Sequence, residues 1–403
     1  VLSSTRTGIV SQLRQLDPGA PEGIDGAGVA SVSGRLAASQ GAAVGSTAFD
    51  ARDARVRALG EAVERYALHA AARWVPTTAA RHHDVAARAL DPRRLALPAP
   101  GEHPDFVPFD PEAAVAWVEG ARLPGGEPIL LPAEATLAHH APRGPRFAWA
   151  SSSGAGAGNT VAEAVRSGLR EVLERDAFAT TWLLHRAPPH VDLDLVRDPD
   201  VKRWRDHHRA RGHAPSLAWL TNEVGYPVVM AQVAEHGAWR YVAGFGASLA
   251  PARAIRRAVE ECEQGRLLLR HLAEAGARIP ASEAECNTLE SQLLYWQDPA
   301  RLPGLAFLTQ PRERLAPDAL PDLSRATPRE DVLATVRLIE KAGMEAYGVD
   351  LTPADLAPFP LRVVATLVAG AQPVRMGAKP WCLANRRLAR APGPLHARPP
   401  PFA

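Results

Sequence analysis

The sequence predicts a mixed α+β fold, with helices packed on mixed or antiparallel sheets. Three observations predict it. Stretches with helical periodicity recur along the chain, separated by short runs with strand-like alternation. Gly- and Pro-rich turns punctuate the boundaries. One charged helical block occurs twice: residues 53–67 and 163–177 place Leu59, Glu61, Glu64, Arg65 and Ala67 opposite Leu169, Glu171, Glu174, Arg175 and Ala177 at a constant offset.

Taken in order, residues 1–40 read as an N-terminal extension packing on the main domain, with Gly8-Ile9-Val10 entering a short strand. The main domain is expected over 41–390. Asp50 is the expected N-cap of its first helix, which carries Glu61 and Glu64. Residues 91–112 are dense in proline and read as an irregular excursion anchored by Phe106, Val107 and Phe109. Residues 114–118 and 128–131 look like strands around a Gly125-Gly126 turn.

Residues 151–175 form the centre of the reading. They open as a Gly/Ser loop and continue as a helix capped by Asn159 or Thr160. On a helical wheel Val165, Leu169, Val172 and Leu173 share one arc, and Glu163, Glu171 and Glu174 the opposite one. Residues 217–220, 227–233 and 239–244 alternate as a meander would, and Pro251 sits where a first-turn proline belongs. The helix it starts puts Arg257, Glu261 and Gln264 on one face. Residues 280–330 are polar and turn-rich, 331–342 read as a helix, and 360–368 as a strand. The tail, 391–403, is too rich in proline for a helix or a central strand and should be extended.

Composition narrows the function. With 46 Lys plus Arg against 44 Asp plus Glu, the charge is near balance, so neither nucleic acid nor an acidic membrane surface is suggested. No apolar run reaches transmembrane length. The three cysteines, Cys262, Cys286 and Cys382, are far apart and odd in number, which fits a reducing cytoplasm rather than a disulfide framework. The pairs His82-His83, His139-His140 and His207-His208 lack the spacing that puts two imidazoles on one helix face and read as surface residues; Glu263 reads as solvated.

The duplicated block carries the chemistry. Carboxylates opposite an apolar stripe ordinarily mark the wet face of a helix, and Thr160 with Glu163 fits a capping box. A Glu-x-x-Glu-Arg repeat on two separate helices is harder to ascribe to surface composition. Glu61, Glu64, Glu171 and Glu174 brought together would repel one another unless a metal or cationic ligand sat between them. There is no P-loop, and only Lys202, Lys341 and Lys379 are present, so no lysine clamp for a phosphate is evident. A nucleotide site would need Mg²⁺ held by carboxylates, with arginines neutralising the remainder.

These residues resemble the YcaO family. Residues 58–66, ALGEAVERY, are similar to its first signature. Residues 152–160 with Glu163 and 171–176 are similar to the second, and residues 254–261 with Gln264 and Arg266 to the third. The resemblance implies an unusual ATP-binding fold in which Glu61, Glu64, Glu171 and Glu174 hold Mg²⁺. It further implies that Arg65, Ser152, Asn159, Glu163, Arg175, Arg257, Glu261 and Gln264 meet the nucleotide. The implied activity is ATP-dependent activation of backbone amides in a ribosomally made precursor peptide, giving thiazoline or oxazoline rings from Cys, Ser or Thr. An E1-like, leader-binding partner protein is implied, and a homodimer is left open. Thioamide formation, or a catalytically weak scaffold role, are the alternatives. The prolines of the tail resemble the azoline-forming branch, which assigns Pro399, Pro401 and the terminal Ala403 to the catalytic centre. Two departures stand out: Ser46-Thr47-Ala48 where the family often has a Gly-Lys-Gly-like turn, and alanine as the last residue instead of proline.

Overall fold

The computed structural model describes residues 10–16, 30–36, 43–142, 144–235, 240–391 and 393–401, with side chains from Thr47 onward. Strands β1 (Val10–Leu16), β2 (Ala30–Leu36) and β3 (Ala43–Ala48) form an antiparallel meander. Gly8 and Ile9, expected to enter the first strand, lie outside the described residues. Helix α1 (Ala51–Trp74) follows and lies against β2 and β3. Asp50 caps it as expected, its side chain accepting from the N–H groups of Arg52 and Asp53. The buried stripe of α1 is mostly alanine (Ala54, Ala58, Ala62, Ala67, Ala71), which lets the helix sit close to its neighbours.

The second sheet is built from β4 (Thr77–Arg81), β5 (Ala114–Arg122), β6 (Pro128–Pro132) and β7 (Ala155–Gly158). Helix α2 (Val161–Leu183) comes next, followed by β8 (His190–Val191) and α3 (Pro199–Arg209). The meander β9 (Ala214–Trp219), β10 (Val228–Ala234) and β11 (Tyr241–Ala247) leads into α4 (Pro251–Glu274). A two-turn helix α5 (Leu289–Tyr295), strand β12 (Arg314–Leu315), helix α6 (Pro328–Lys341) and strands β13 (Glu345–Asp350) and β14 (Arg362–Ala369) complete the order.

One sheet runs β4-β5-β13-β14-β7 with β6 also on β5, all antiparallel. The other runs β11-β10-β9-β8-β12 and is antiparallel except for the β8–β12 pair. Helix α2 lies between them, and its Leu169, Leu173, Phe178 and Trp182 share a core with β10, β11, β14 and α6. α4 packs on the other face of β11, where Ala254, Ile255, Ala258, Val259 and Cys262 are buried.

Several expectations change on this frame. Residues 154–158, read as a flexible loop, supply strand β7, paired with β14. Their small size has a steric reason: a Cβ on Gly156 would stand 2.2 Å from the Ala164 carbonyl oxygen of α2. The same holds across the molecule, where a Cβ on Gly246 of β11 would stand 2.1 Å from the Ala254 carbonyl of α4. Thr160, rather than Asn159, is the N-cap of α2. Of the apolar residues in the proline-rich excursion, Phe106 is buried and Phe109 packs on Phe147, but Val107 is 43% exposed. His82, His207 and His208 are buried, not superficial, and so is Glu263.

Candidate functional site: a glutamate-lined cleft among three helices

A cleft of about 600 Å³ opens where α1, α2 and α4 converge. α1 lines it with Arg57, Gly60, Glu61 and Glu64, spaced at one helical turn. Asn159 lines it from just before α2, and α2 contributes Glu163, Arg166, Ser167 and Arg170 along one face. α4 adds Arg253 and Arg257, and Tyr226, Ser248 and Asp331 close the remaining side. Glu163 is positioned from both ends of a capping arrangement. Its backbone N–H donates to Thr160 Oγ1 at 3.2 Å, and its carboxylate accepts from the Asn159 N–H at 2.7 Å.

Behind this lining the carboxylates crowd. Burial raises the Glu64 pKa well above the ordinary value, and repulsion from Glu171 and then Glu61 adds to it, against Arg65 and Arg170. Burial likewise raises Glu174, opposed by Arg175 and Arg170 and reinforced by Glu171. Glu261 is pushed up to about 8, by burial and then by Glu174, with Glu171 adding to it and Arg175 opposing. Burial disfavours the charge on Arg175, but Glu261, Glu171 and Glu174 outweigh it and raise its pKa. Residues far apart in sequence therefore feel one another directly: Glu61 and Glu64 from α1, Glu171 and Glu174 from α2, and Glu261 from α4.

The donor set fits a hard divalent cation. Burial and mutual repulsion favour the neutral forms of Glu64, Glu174 and Glu261, and a cation among them would oppose that shift. The arginines around the mouth suit a polyphosphate, and the volume lies within the usual range for a small-molecule site.

Of the residues expected from the sequence, Glu61, Glu64, Asn159, Glu163 and Arg257 line the cleft, while Glu171, Glu174, Arg175 and Glu261 are outside that lining and interact with one another behind it. Arg65 faces back along α1, 3.5 Å from Glu61. Gln264 is exposed one turn beyond Glu261 on α4. Ser152 is not among the cleft-lining residues; it sits in the turn before β7, where its carbonyl accepts from the Ala155 N–H. Arg166, Arg170, Arg253 and Asp331 were not anticipated. Arg166 and Arg170 follow Glu163 at i+3 and i+7, so the wheel that singled out the glutamates also carried this signal.

The tail is held apart from the cleft lining, at the far end of α2. Three successive carbonyls, those of Ala397, Arg398 and Pro399, accept from the indole N–H groups of Trp381, Trp182 and Trp296 at 3.1, 3.0 and 2.9 Å. Pro399, Pro400 and Pro401 are buried, and Ala403 lies outside the described residues.

A family model described as YcaO cyclodehydratase, ATP- and Mg²⁺-binding, matches residues 45–372. The chain belongs to the YcaO family. Its cofactors are ATP and Mg²⁺. An uncharacterized protein of Methanothermobacter thermautotrophicus is 29% identical over 336 residues, covering 81% of this chain and 82% of the relative. Among solved structures, a heterocyclase in complex with substrate and cofactor is similar over 99% of this chain, with a TM-score of 0.80 at 24% identity. This chain spans about half the length of that heterocyclase, 56% of it. YcaO from Methanopyrus kandleri, bound with AMPPCP and Mg²⁺, is similar over 97% of this chain and 91% of its own, with a TM-score of 0.65 at 23% identity. At these identities the structural likeness establishes the YcaO fold, mixed helices on antiparallel and mixed sheets, for this chain. Among the described residues no helix is long and apolar enough to cross a membrane.

Proposed function

We propose that this YcaO protein activates backbone amides of a ribosomally made peptide with ATP, closing thiazoline or oxazoline rings on Cys, Ser or Thr. One observation carries the reading: five glutamates from three helices crowd at and directly behind the cleft wall, three of them with pKa values raised by burial and mutual repulsion. Such a cluster is costly without a cation and suited to one.

In this reading Glu61, Glu64, Glu171 and Glu174 hold Mg²⁺. Arg175 and Arg257, with Asn159, Glu163, Glu261 and Gln264, meet the nucleotide; Arg65 and Ser152 support it from behind. Arg166, Arg170 and Arg253, at the cleft wall, face the phosphates. Bound Mg²⁺ neutralises phosphate charge and polarises the phosphoryl group to be transferred.

The thiol or hydroxyl of the reacting side chain adds to the preceding carbonyl carbon and gives up its proton. The carbonyl oxygen, now an oxyanion, takes the γ-phosphoryl group and ADP is released. The amide nitrogen then forms the ring C=N bond, loses its proton and expels phosphate. An amide oxygen is a poor leaving group, and phosphorylation makes it a good one. Pro399, whose carbonyl accepts from the Trp296 indole, and Pro401 after it position the tail toward the peptide. A leader-binding, E1-like partner would present the precursor.

The test pairs nucleotide binding with product. Mg·ATP should raise the Tm of the wild type, because a ligand that binds only the folded state stabilises it. A Cys-rich precursor peptide should lose the mass of one water per ring, with ADP formed in step. Glu174→Gln should abolish both responses while the apo protein stays folded. Equal Tm shifts in wild type and variant would remove the metal assignment.

A further inference from the structure

On the face of α4 about 200° around from Glu261, a second polar cluster is built by different elements. Glu263 is buried there. Its Oε1 accepts from Trp204 Nε1 at 2.9 Å and from His208 Nε2 at 2.8 Å, and its Oε2 from Arg266 Nε at 2.8 Å. A carboxylate in that position only accepts, so His208 carries its proton on Nε2. In the neutral ring this leaves Nδ1 as a bare lone pair. That lone pair faces His213 Nδ1 at 3.1 Å.

Local structure fixes the pairing. α3 ends just after His208, and Gly212, at φ +75°, turns the chain back so that the His213 N–H bonds the His208 carbonyl at 3.1 Å. The β9–β10 register pairs Ala214 with Ala234 and so brings His213 beside Glu235. The Glu235 side chain is only 10% exposed, and its Oε1 is buried without a hydrogen-bond partner. It stands 3.7 Å from His213 Nδ1, too far for a hydrogen bond. The three donor atoms lie within 4.8 Å of one another.

From these positions we propose that His208, His213 and Glu235 bind a zinc ion, with Glu263 fixing the His208 ring from outside. Ligands at about 2.0–2.1 Å from a tetrahedral centre stand roughly 3.3–3.4 Å apart. Two of the three observed edges, 3.1 and 3.7 Å, bracket that value, and the third lies within 4.8 Å. Two imidazoles and one carboxylate form a donor set that zinc takes readily, with a water as fourth ligand. Hydrogen bonding of a ligating imidazole to a carboxylate through its other nitrogen is the usual support of such a site, and Glu263 supplies it. Burial raises the Glu235 pKa, and a bound cation would oppose that shift. The ion would tie the end of α3 to the edge where β9 begins and β10 ends. This site shares no ligand with the glutamate cleft, and the inference does not rest on the cyclodehydratase reading.

The experiment uses the 403-residue chain, purified without a polyhistidine tag, loaded with Zn²⁺ and dialysed free of unbound metal. It should retain about one zinc per chain by elemental analysis. EDTA should strip the zinc and lower the Tm, and a Mg·ATP response measured in parallel should persist. Co²⁺ in its place should give the visible absorption of a tetrahedral site. His213→Asn and Glu235→Gln, near-isosteric changes at side chains 16% and 10% exposed, should fold, but bind zinc more than tenfold more weakly. Glu263→Gln should weaken binding by roughly 10–100-fold. Zinc retention equal in wild type and His213→Asn, or Co²⁺ bound without the tetrahedral spectrum, would overturn the site and leave a hydrogen-bonded network. The wild-type chelator response stands without the variants.

Discussion

Glu261 and Glu263 lie two residues apart on α4, both deep in the protein, and their electrostatic surroundings are opposite. Glu261 is raised to about 8 by burial and the neighbouring Glu174. Burial also disfavours charge on Glu263, but Arg266 and the His208 hydrogen bond outweigh it and hold the carboxyl far below its ordinary range. Glu260, beside them, points a third way: it binds Arg57 at 2.5 Å and accepts from the Phe49 N–H at 3.2 Å. The helix turns about 100° per residue, so three nearby glutamates reach three environments. Protein groups satisfy Glu263, which is therefore part of the fold. Too little positive protein charge faces Glu261, and a carboxylate left in that state points to a ligand the protein expects to receive.

The largest expected effect tests the unsatisfied side. Glu261→Gln removes repulsion without changing shape. It should leave apo stability equal or higher and reduce ring formation by on the order of 10²–10³-fold, as loss of a charge-positioning group does. Paired Tm and turnover measurements check both halves. A variant less stable than wild type with unchanged turnover would erase the contrast.

The satisfied side should respond in stability. Glu263→Ala strands Arg266, His208 and the Trp204 N–H in the interior and should cost about 3–5 kcal/mol, measured by denaturant unfolding. A cost below about 1 kcal/mol, the scale of a surface pair, would mean that Glu263 is not the anchor described.

α2 carries the same contrast along its length: carboxylates from Glu163 to Asp176, and the tail's partners Trp182 and Leu183 at its end. Ending the chain at Arg398 removes the Trp296 contact to Pro399. Ring formation should fall by at least about tenfold while Mg·ATP still raises the Tm, since the tail stands about 12 Å along the axis from Glu174. Normal cyclisation by the truncated chain would separate the tail from the chemistry.

The smallest effect is a pH response at the tail. Burial lowers the His396 pKa from 6.5 to about 4, with His185 and Arg398 adding to the shift and Glu283 opposing it. An unfolded chain takes up this proton as pH falls through 6.5 and the folded one does not until about 4. His396 thus contributes stability fully above that window and loses it as the pH drops across it. In His396→Asn the Tm should depend less steeply on pH over the same interval than in wild type.

The repeat of Glu61-x-x-Glu64-Arg65 and Glu171-x-x-Glu174-Arg175 was legible in the sequence because i, i+3 spacing fixes which residues share a helix face, whatever the fold. The helix starts at Asp50, Thr160 and Pro251 were legible for the same reason, since caps and first-turn prolines act within a few residues. The strand at residues 155–158 was not, because glycine has no strand preference of its own; it is a strand only because β14 pairs with it and α2 needs the room. Nor were the buried His207, His208 and Glu263, whose wet or dry environment depends on what α3, β9 and β10 bring against α4. The sequence by itself determined which charges each helix presents and where the helices begin. The tertiary structure alone decided which of those charges meet a protein partner and which are left facing one another, because burial and distance between remote segments set the energy of a carboxylate, and neither is written in local spacing.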